Sequence, residues 1–199
     1  MAATRKYELR KRAEQLDETR RRITEATVEL HRTVGPAATT ISEVARRAGV
    51  QRVTVYNHFA DDASLFAACS AHWTGLHPTP DPAPWAALPD PGERLRVALR
   101  ALYAWFRETE PMTANVLRDS ERLPELRALL EAGLLPYLDR LRGLLAEPFA
   151  VRGRRRRRLD AALAAATDLH FWRTLAPLGD EEAAELGAGL VELAAAQTE

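Results

Sequence analysis

Apolar residues recur along this chain at intervals of three and four, and runs that alternate apolar with polar are missing, so the pattern predicts helices throughout and no sheet. Ile23, Ala26, Thr27, Leu30 and Val34 mark a first amphipathic helix that stops at Gly35-Pro36. A short helix follows, because Thr40-Ile41-Ser42-Glu43 has the form of a capping box, in which hydroxyl and carboxylate each accept from a backbone N–H at a helix start. Gly49 ends it. The apolar pattern resumes through Val50, Val53, Val55, Tyr56 and Phe59, and a further helix opens at Asp61-Asp62 and runs past Leu65, Phe66 and Cys69 to about Trp73.

Six prolines between His77 and Pro91 exclude regular helix until the end of that stretch. It reads as a connector between two helical domains, residues 1–76 and 77–199. Asp90-Pro91-Gly92-Glu93 then caps a long helix carrying Leu95, Ala98, Leu99, Leu102, Trp105 and Phe106 on one stripe and ending near Glu110-Pro111. A shorter helix is expected from Thr113 to Glu121, and a longer one from Leu123 to Leu145 that kinks where Gly133 and Pro136 interrupt it. Beyond it, the arginine run Arg154 to Arg158 reads as a solvated loop or helix start, followed by LDAALAAATDLHFWRTL and by a last helix opening at Gly179-Asp180.

Composition narrows the class. With 46% apolar residues in 199, the chain can bury one large core or a small domain joined to a larger one. No apolar run reaches the roughly 20 residues of a membrane span, and MAATRKYELRKR lacks the apolar stretch of a signal peptide, so the expected setting is cytoplasmic with no membrane partner. The single cysteine, Cys69, reads as a small buried residue, and no Cys/His grouping has zinc-site spacing. His31, His58, His72, His77 and His170 form neither a metal set nor a base beside a nucleophile, so no catalytic residue, metal or cofactor is assigned and the chain does not read as an enzyme. Net charge is zero, yet residues 1–60 hold twelve Lys or Arg against seven Asp or Glu, which points the first third towards nucleic acid.

TISEVARRAGVQRVTVYNHF, Thr40 to Phe59, has the residues that a helix-turn-helix requires. Ala45 is small where a second helix crosses it, Gly49 can adopt the left-handed turn, and Val44, Val50 and Val55 fill the angle between the helices. Together with the following Leu65-Phe66, this segment resembles the DNA-binding part of TetR-type transcriptional regulators, over roughly Ile23 to Trp73. The resemblance implies an all-α fold: an N-terminal three-helix DNA-binding domain and a C-terminal helical domain for ligand binding and dimerisation. It also implies a homodimer on a near-palindromic double-stranded DNA operator, a small-molecule effector of unknown identity, and repression by default.

The residue roles implied by the resemblance fit their chemistry. Gln51, Arg52 and Val53 open the recognition helix, where amide, guanidinium and methyl groups can read adenine, guanine and thymine. Thr40, Thr54, Tyr56, Asn57 and His58 match phosphate-contacting positions. Asp62 stands where the family usually has lysine, which puts tight phosphate binding in doubt, and the basic stretch Arg5 to Arg12 could compensate or could be a solvated tail. Tyr103, Phe106, Met112, Tyr137, His170, Phe171 and Trp172 suit either an effector pocket or a packed core. Ala162, Ala166, Leu190, Val191 and Ala194, on the last two helices, are the expected dimer interface. An architectural DNA binder without an effector is the remaining alternative.

Overall fold

The computed structural model describes residues 2–196, with side chains from Tyr7 onward, and every regular element among them is helical. The helices are α1 (Ala2–Thr33), α2 (Ile41–Ala48), α3 (Arg52–His58), α4 (Asp62–Leu76), α5 (Ala83–Ala86), α6 (Pro91–Asp119), α7 (Pro124–Ala132), α8 (Leu134–Ala146), α9 (Gly153–Ala166), α10 (Leu169–Leu175) and α11 (Asp180–Ala196). Their packing divides the chain into two units. The first comprises residues up to Leu76 together with Pro111–Leu129, and the second His77–Glu110 together with Leu130 onward. A single cut at residue 76 therefore does not reproduce the packing of Pro111–Leu129.

Several boundaries differ from the sequence pattern. The first helix starts at Ala2, so the basic stretch is helix from the outset, with Arg10 paired to Glu14 at 3.4 Å; the side chains of Arg5 and Lys6 lie outside the described residues. Pro111 does not end α6. A proline inside a helix forfeits one backbone hydrogen bond, but Phe106 and Thr109 on one side and Met112 and Thr113 on the other are buried, each in its own unit, and their burial outweighs that loss. The expected kink near Gly133 is a full break between α7 and α8. Gly133 leaves helical geometry (φ −126°, ψ −88°), and Pro136 falls in the first turn of α8, where a missing N–H costs nothing. A second break separates α9 from α10 at Asp168, whose carboxylate accepts from the backbone N–H groups of His170 and Phe171 at 2.8 and 3.2 Å.

The first unit is built around α1. Its Ile23 and Leu30 are buried with Val44, Ala45, Val55, Phe59, Leu65, Cys69 and Met112. Only half of the expected capping box forms: Thr40 Oγ1 accepts from the Glu43 N–H at 3.2 Å, while the Glu43 carboxylate is held by Arg46 at 2.5 Å. Gly49 adopts the left-handed conformation (φ 66°, ψ 39°), which a side chain would strain. Two arginines of α1 then take up helix ends that the sequence pattern did not connect with them. Arg22 donates to the carbonyls of Ala48 and Gly49 at the end of α2, and Arg20 donates to the carbonyl of His58 at 2.6 Å while lying 4.2 Å from the centre of the Phe59 ring. Cys69 is packed, its thiol directed at the Thr24 carbonyl 3.8 Å away and its pKa pushed up to about 12 by burial, so it is no nucleophile.

At the other end of α1, Asn115 donates to the carbonyls of His31 and Arg32 at 2.9 and 3.0 Å, and Asp119 accepts from the Ala37 N–H at 2.9 Å. His31 itself is buried, its ring 5.4 Å from that of Phe66 and its Nε2 without a hydrogen-bond partner. Burial pushes its pKa down to about 4, with the charge of Asp119 pulling the other way.

Two outcomes follow for stability. Arg22→Ala is expected to lower the free energy of unfolding by about 1–2 kcal/mol, and Arg22→Lys to recover only part of it, because one ammonium cannot span two carbonyls as a guanidinium does; urea titration measures both. For His31, the unfolded chain takes up the proton near the ordinary value of 6.5 and the folded chain only near 4, so stability is full above about pH 6.5 and declines as pH falls. Between pH 7 and 5 the chain should lose about 2 kcal/mol more than the His31→Leu variant, and equal losses in the two proteins would rule out this histidine as the source.

Candidate nucleic-acid interface

A helix of seven residues has little stability of its own, so α3 must be held by its surroundings. Val55 is buried at 1% exposure, the α3 C-terminus is bound by Arg20, and Phe59 closes the helix inside the core. With that side fixed, the spacing of the helix turns Arg52, Val53, Tyr56 and Asn57 to the other, and all four are exposed. Gln51 precedes them as N-cap, but its side chain makes no capping bond and is also exposed. Val53 is 57% and Tyr56 50% exposed, although a β-branched residue and an aromatic ring gain nothing from solvent. Internal packing therefore does not account for this face.

The expected base readers Gln51, Arg52 and Val53 thus lie together, with Tyr56 and Asn57 continuing the same surface. Thr54 and His58 are half-buried on its flank, and Thr40 is exposed at the start of α2. The Thr40 hydroxyl spends its acceptor on the Glu43 N–H and keeps its proton to donate. Asp61, rather than Asp62, caps α4: its carboxylate accepts from the Ser64 N–H at 2.7 Å while the Ser64 hydroxyl donates to the Asp61 carbonyl at 2.8 Å, and these contacts hold the Asp61 carboxyl below its usual range. Asp62 is left exposed at the first position of α4. Arg20 and Arg22 are the residues that sequence reasoning missed; the available signal was a pair of cations on the first helix, which composition could not distinguish from its other arginines.

The residues expected to line a pocket do not all share one environment. Tyr103, Phe106, Tyr137 and Trp172 are buried in the second unit, with Phe106 and Trp172 in ring contact at 5.7 Å. The Tyr103 hydroxyl donates to the Ala166 carbonyl at 2.8 Å, whereas Tyr137 Oη and Trp172 Nε1 are buried without a partner. Met112 belongs instead to the core of the first unit, because the turn of α6 that carries it packs there, and His170 is exposed and Phe171 half-buried at the start of α10. Ala162, Ala166 and Val191 are buried against their own chain, since α9 and α11 pack on one another, while Leu190 is exposed and Ala194 half-buried. Among the described residues no group of three His, Cys, Asp or Glu side chains is placed to hold a metal ion, and no helix is long and apolar enough to cross a membrane.

No curated protein matches the chain by sequence. Solved structures do match its fold. A transcriptional regulator from Rhodococcus superposes with a TM-score of 0.59 at 20% identity, over 90% of this chain and 99% of that one. The TetR family transcriptional regulator PfmR from Thermus thermophilus gives 0.58 at 23%, over 89% and 98%. The fatty acid degradation regulator FadR from Bacillus halodurans gives 0.57 at 19%, over 91% and 96%. Residues 23–69 match the family described as bacterial regulatory proteins, tetR family, and that range contains α2, α3 and the helix ends that position them. Residues 23–69 are thus a tetR-family DNA-binding segment, and the chain as a whole shares the helical fold of these solved regulators.

Proposed function

We propose that this regulator reads a near-palindromic operator as a homodimer, and that a small molecule bound in the second unit releases it. The observation that carries the reading is the face of α3 formed by Gln51, Arg52, Val53, Tyr56 and Asn57, exposed on a helix whose opposite side is fixed in a core. Guanidinium and amide groups on such a face can discriminate base edges in a major groove, and Val53 can meet a thymine methyl. Thr40, Thr54, Tyr56, Asn57 and His58 would hold the backbone. Two copies, associated through α9 and α11, would set their recognition helices about 34 Å apart, one turn of DNA. Binding at a promoter blocks transcription.

The effector is assigned to the part of the second unit that buries Tyr103, Phe106, Tyr137 and Trp172. Tyr137 Oη and Trp172 Nε1 support it, because donors buried without partners are costly and a ligand acceptor would satisfy them. The FadR neighbour is a regulator of fatty acid degradation, which makes fatty acids the first probes. A ligand that prefers one spacing of the two recognition helices shifts the dimer towards it and lowers operator affinity by the same coupling.

Selection from random duplexes, followed by binding titrations, tests the DNA reading. Arg52→Ala should weaken the selected duplex by about tenfold or more and relax preference at one base position, with helix content unchanged. Asp62→Lys should tighten binding to every duplex and steepen the salt dependence by about one phosphate contact per subunit. Failure of the unmodified chain to prefer any duplex at low salt would remove the proposal. A thermal-shift series with fatty acids should raise the unfolding temperature, and the shift should shrink in Tyr137→Phe and Trp172→Phe; a shift unchanged in both places the ligand elsewhere.

A further inference from the structure

The first helix is longer than its core requires. Its buried side chains begin at Ile23, yet α1 starts at Ala2, and Tyr7 to Glu18 are all exposed. This stretch keeps its helical form through contacts of its own. Arg10 pairs with Glu14 at 3.4 Å and lies 5.7 Å from the centre of the Tyr7 ring, while Arg21 pairs with Glu18 at 2.7 Å and with Glu25 at 2.6 Å. Such pairs favour a helix without burying it, so the chain carries an arm that is ordered but not packed.

Charge is sorted along the arm. Residues 2–12 hold five Lys or Arg against one acid, Glu8, whereas residues 13–19 hold Glu14, Asp17 and Glu18 and no cation. Two of those three acids are engaged, by Arg10 and Arg21. Lys11 and Arg12 are exposed and have no ion-pair partner among the described residues. A second sorting runs around the helix. Successive residues turn by about 100°, which sets Leu9, Arg12, Ala13 and Leu16 on the side that continues as Arg20, Ile23 and Thr27. Glu14, Asp17 and Glu18 fall off that side, and Glu8 stands at its edge without pairing to Arg12.

The same side of α1 receives α3. Arg20 donates to the His58 carbonyl at 2.6 Å and lies 4.2 Å from the centre of the Phe59 ring, and Val55 is buried in the core that holds Ile23. Because α3 turns Arg52, Val53, Tyr56 and Asn57 away from that core, a duplex on this face lies on the same side of α1, beyond α3. Arg12 stands eight residues before Arg20, about 12 Å further along the axis, where the arm has left the core. A major groove is about 8.5 Å deep and packed helices lie about 8–10 Å apart, so the phosphates on the rim of a groove filled by α3 rise to the level of the arm. A helix about 10 Å wide does not enter a minor groove about 6 Å wide, which leaves the backbone as its target.

We infer that the arm is a second phosphate-binding element, a helix that runs beside the duplex backbone outside the bases read by α3, with Lys11 and Arg12 set against phosphates. This rests on the DNA reading proposed above and adds to it cations that offset Asp62, exposed at the start of α4. Phosphates carry no sequence, so the arm contributes affinity and salt dependence but no base preference.

Binding titrations over a range of salt test it, with the full chain, a selected duplex carrying long flanks, and the same duplex cut back to the selected bases. Lys11→Gln and Arg12→Gln together should weaken binding to the long duplex about tenfold at about 0.1 M salt and make the salt dependence shallower by about two phosphate contacts per subunit. Base preference and helix content by circular dichroism should be unchanged, and on the short duplex most of the loss should vanish. Arg152→Gln with Arg157→Gln removes the same charge from the second unit and should alter neither quantity. Equal effects from the two pairs, or an arm pair that leaves the salt dependence on the long duplex intact, overturn the inference while selection by α3 stands. Leu16→Glu adds an acid to the side of the arm that lacks one and should weaken every long duplex alike. If it instead changes the oligomeric state in sedimentation equilibrium and leaves the salt dependence unaltered, that side belongs to a second copy and the inference falls. An unmodified chain that prefers no duplex at low salt removes the DNA reading itself, and the arm's role with it.

Discussion

The exposed face of α3 depends on two helix ends being closed from behind. α2 and α3 are eight and seven residues long, too short to persist alone, and each ends in carbonyl groups that nothing within the helix can satisfy. Arg22 and Arg20, two positions apart on α1, supply those donors through Ala48, Gly49 and His58. Cations at helix C-termini also act favourably with the partial negative charge there. The consequence is geometric as much as energetic. Because the ends are held by α1, α3 needs only Val55 and the following Phe59 in the core, and the remaining face is released for Arg52, Val53, Tyr56 and Asn57.

How much of this site is legible in the sequence follows the range of the interactions. The turn between α2 and α3 is legible because its determinants are local: a hydroxyl that caps three residues on, a glycine in the left-handed region, and valines at helical spacing around it. Arg20 and Arg22 are not, since their partners lie 38 and 26 positions away and nothing in the spacing of cations along α1 marks two of them as caps. Glu43 shows the same limit in reverse. Its place in a capping box is a sound local expectation, but Arg46, one turn on, offers the carboxylate an ion pair instead.

Proline and glycine mark positions where the chain changes character without fixing what the change is. Pro111 stands where α6 passes from one unit to the other, yet the helix does not stop, because buried side chains on both sides of it outweigh one lost backbone bond. Gly133 and Pro136 are close enough to suggest a single kink, but each acts separately, the glycine ending one geometry and the proline fitting the first turn of the next helix. Asp168 is inconspicuous after an alanine-rich run, although an aspartate that accepts from the two residues following its neighbour is a strong helix start.

The alanine-rich faces of the last helices illustrate why residue type alone does not assign an interface. Small residues permit close approach, and here α9 and α11 pack on each other while Ala162, Ala166, Ala184, Ala188 and Val191 are buried within one chain. What remains outward is the less conspicuous set of leucines on α11, whose exposure has no internal reason. An apolar strip alone would accept a partner in either direction.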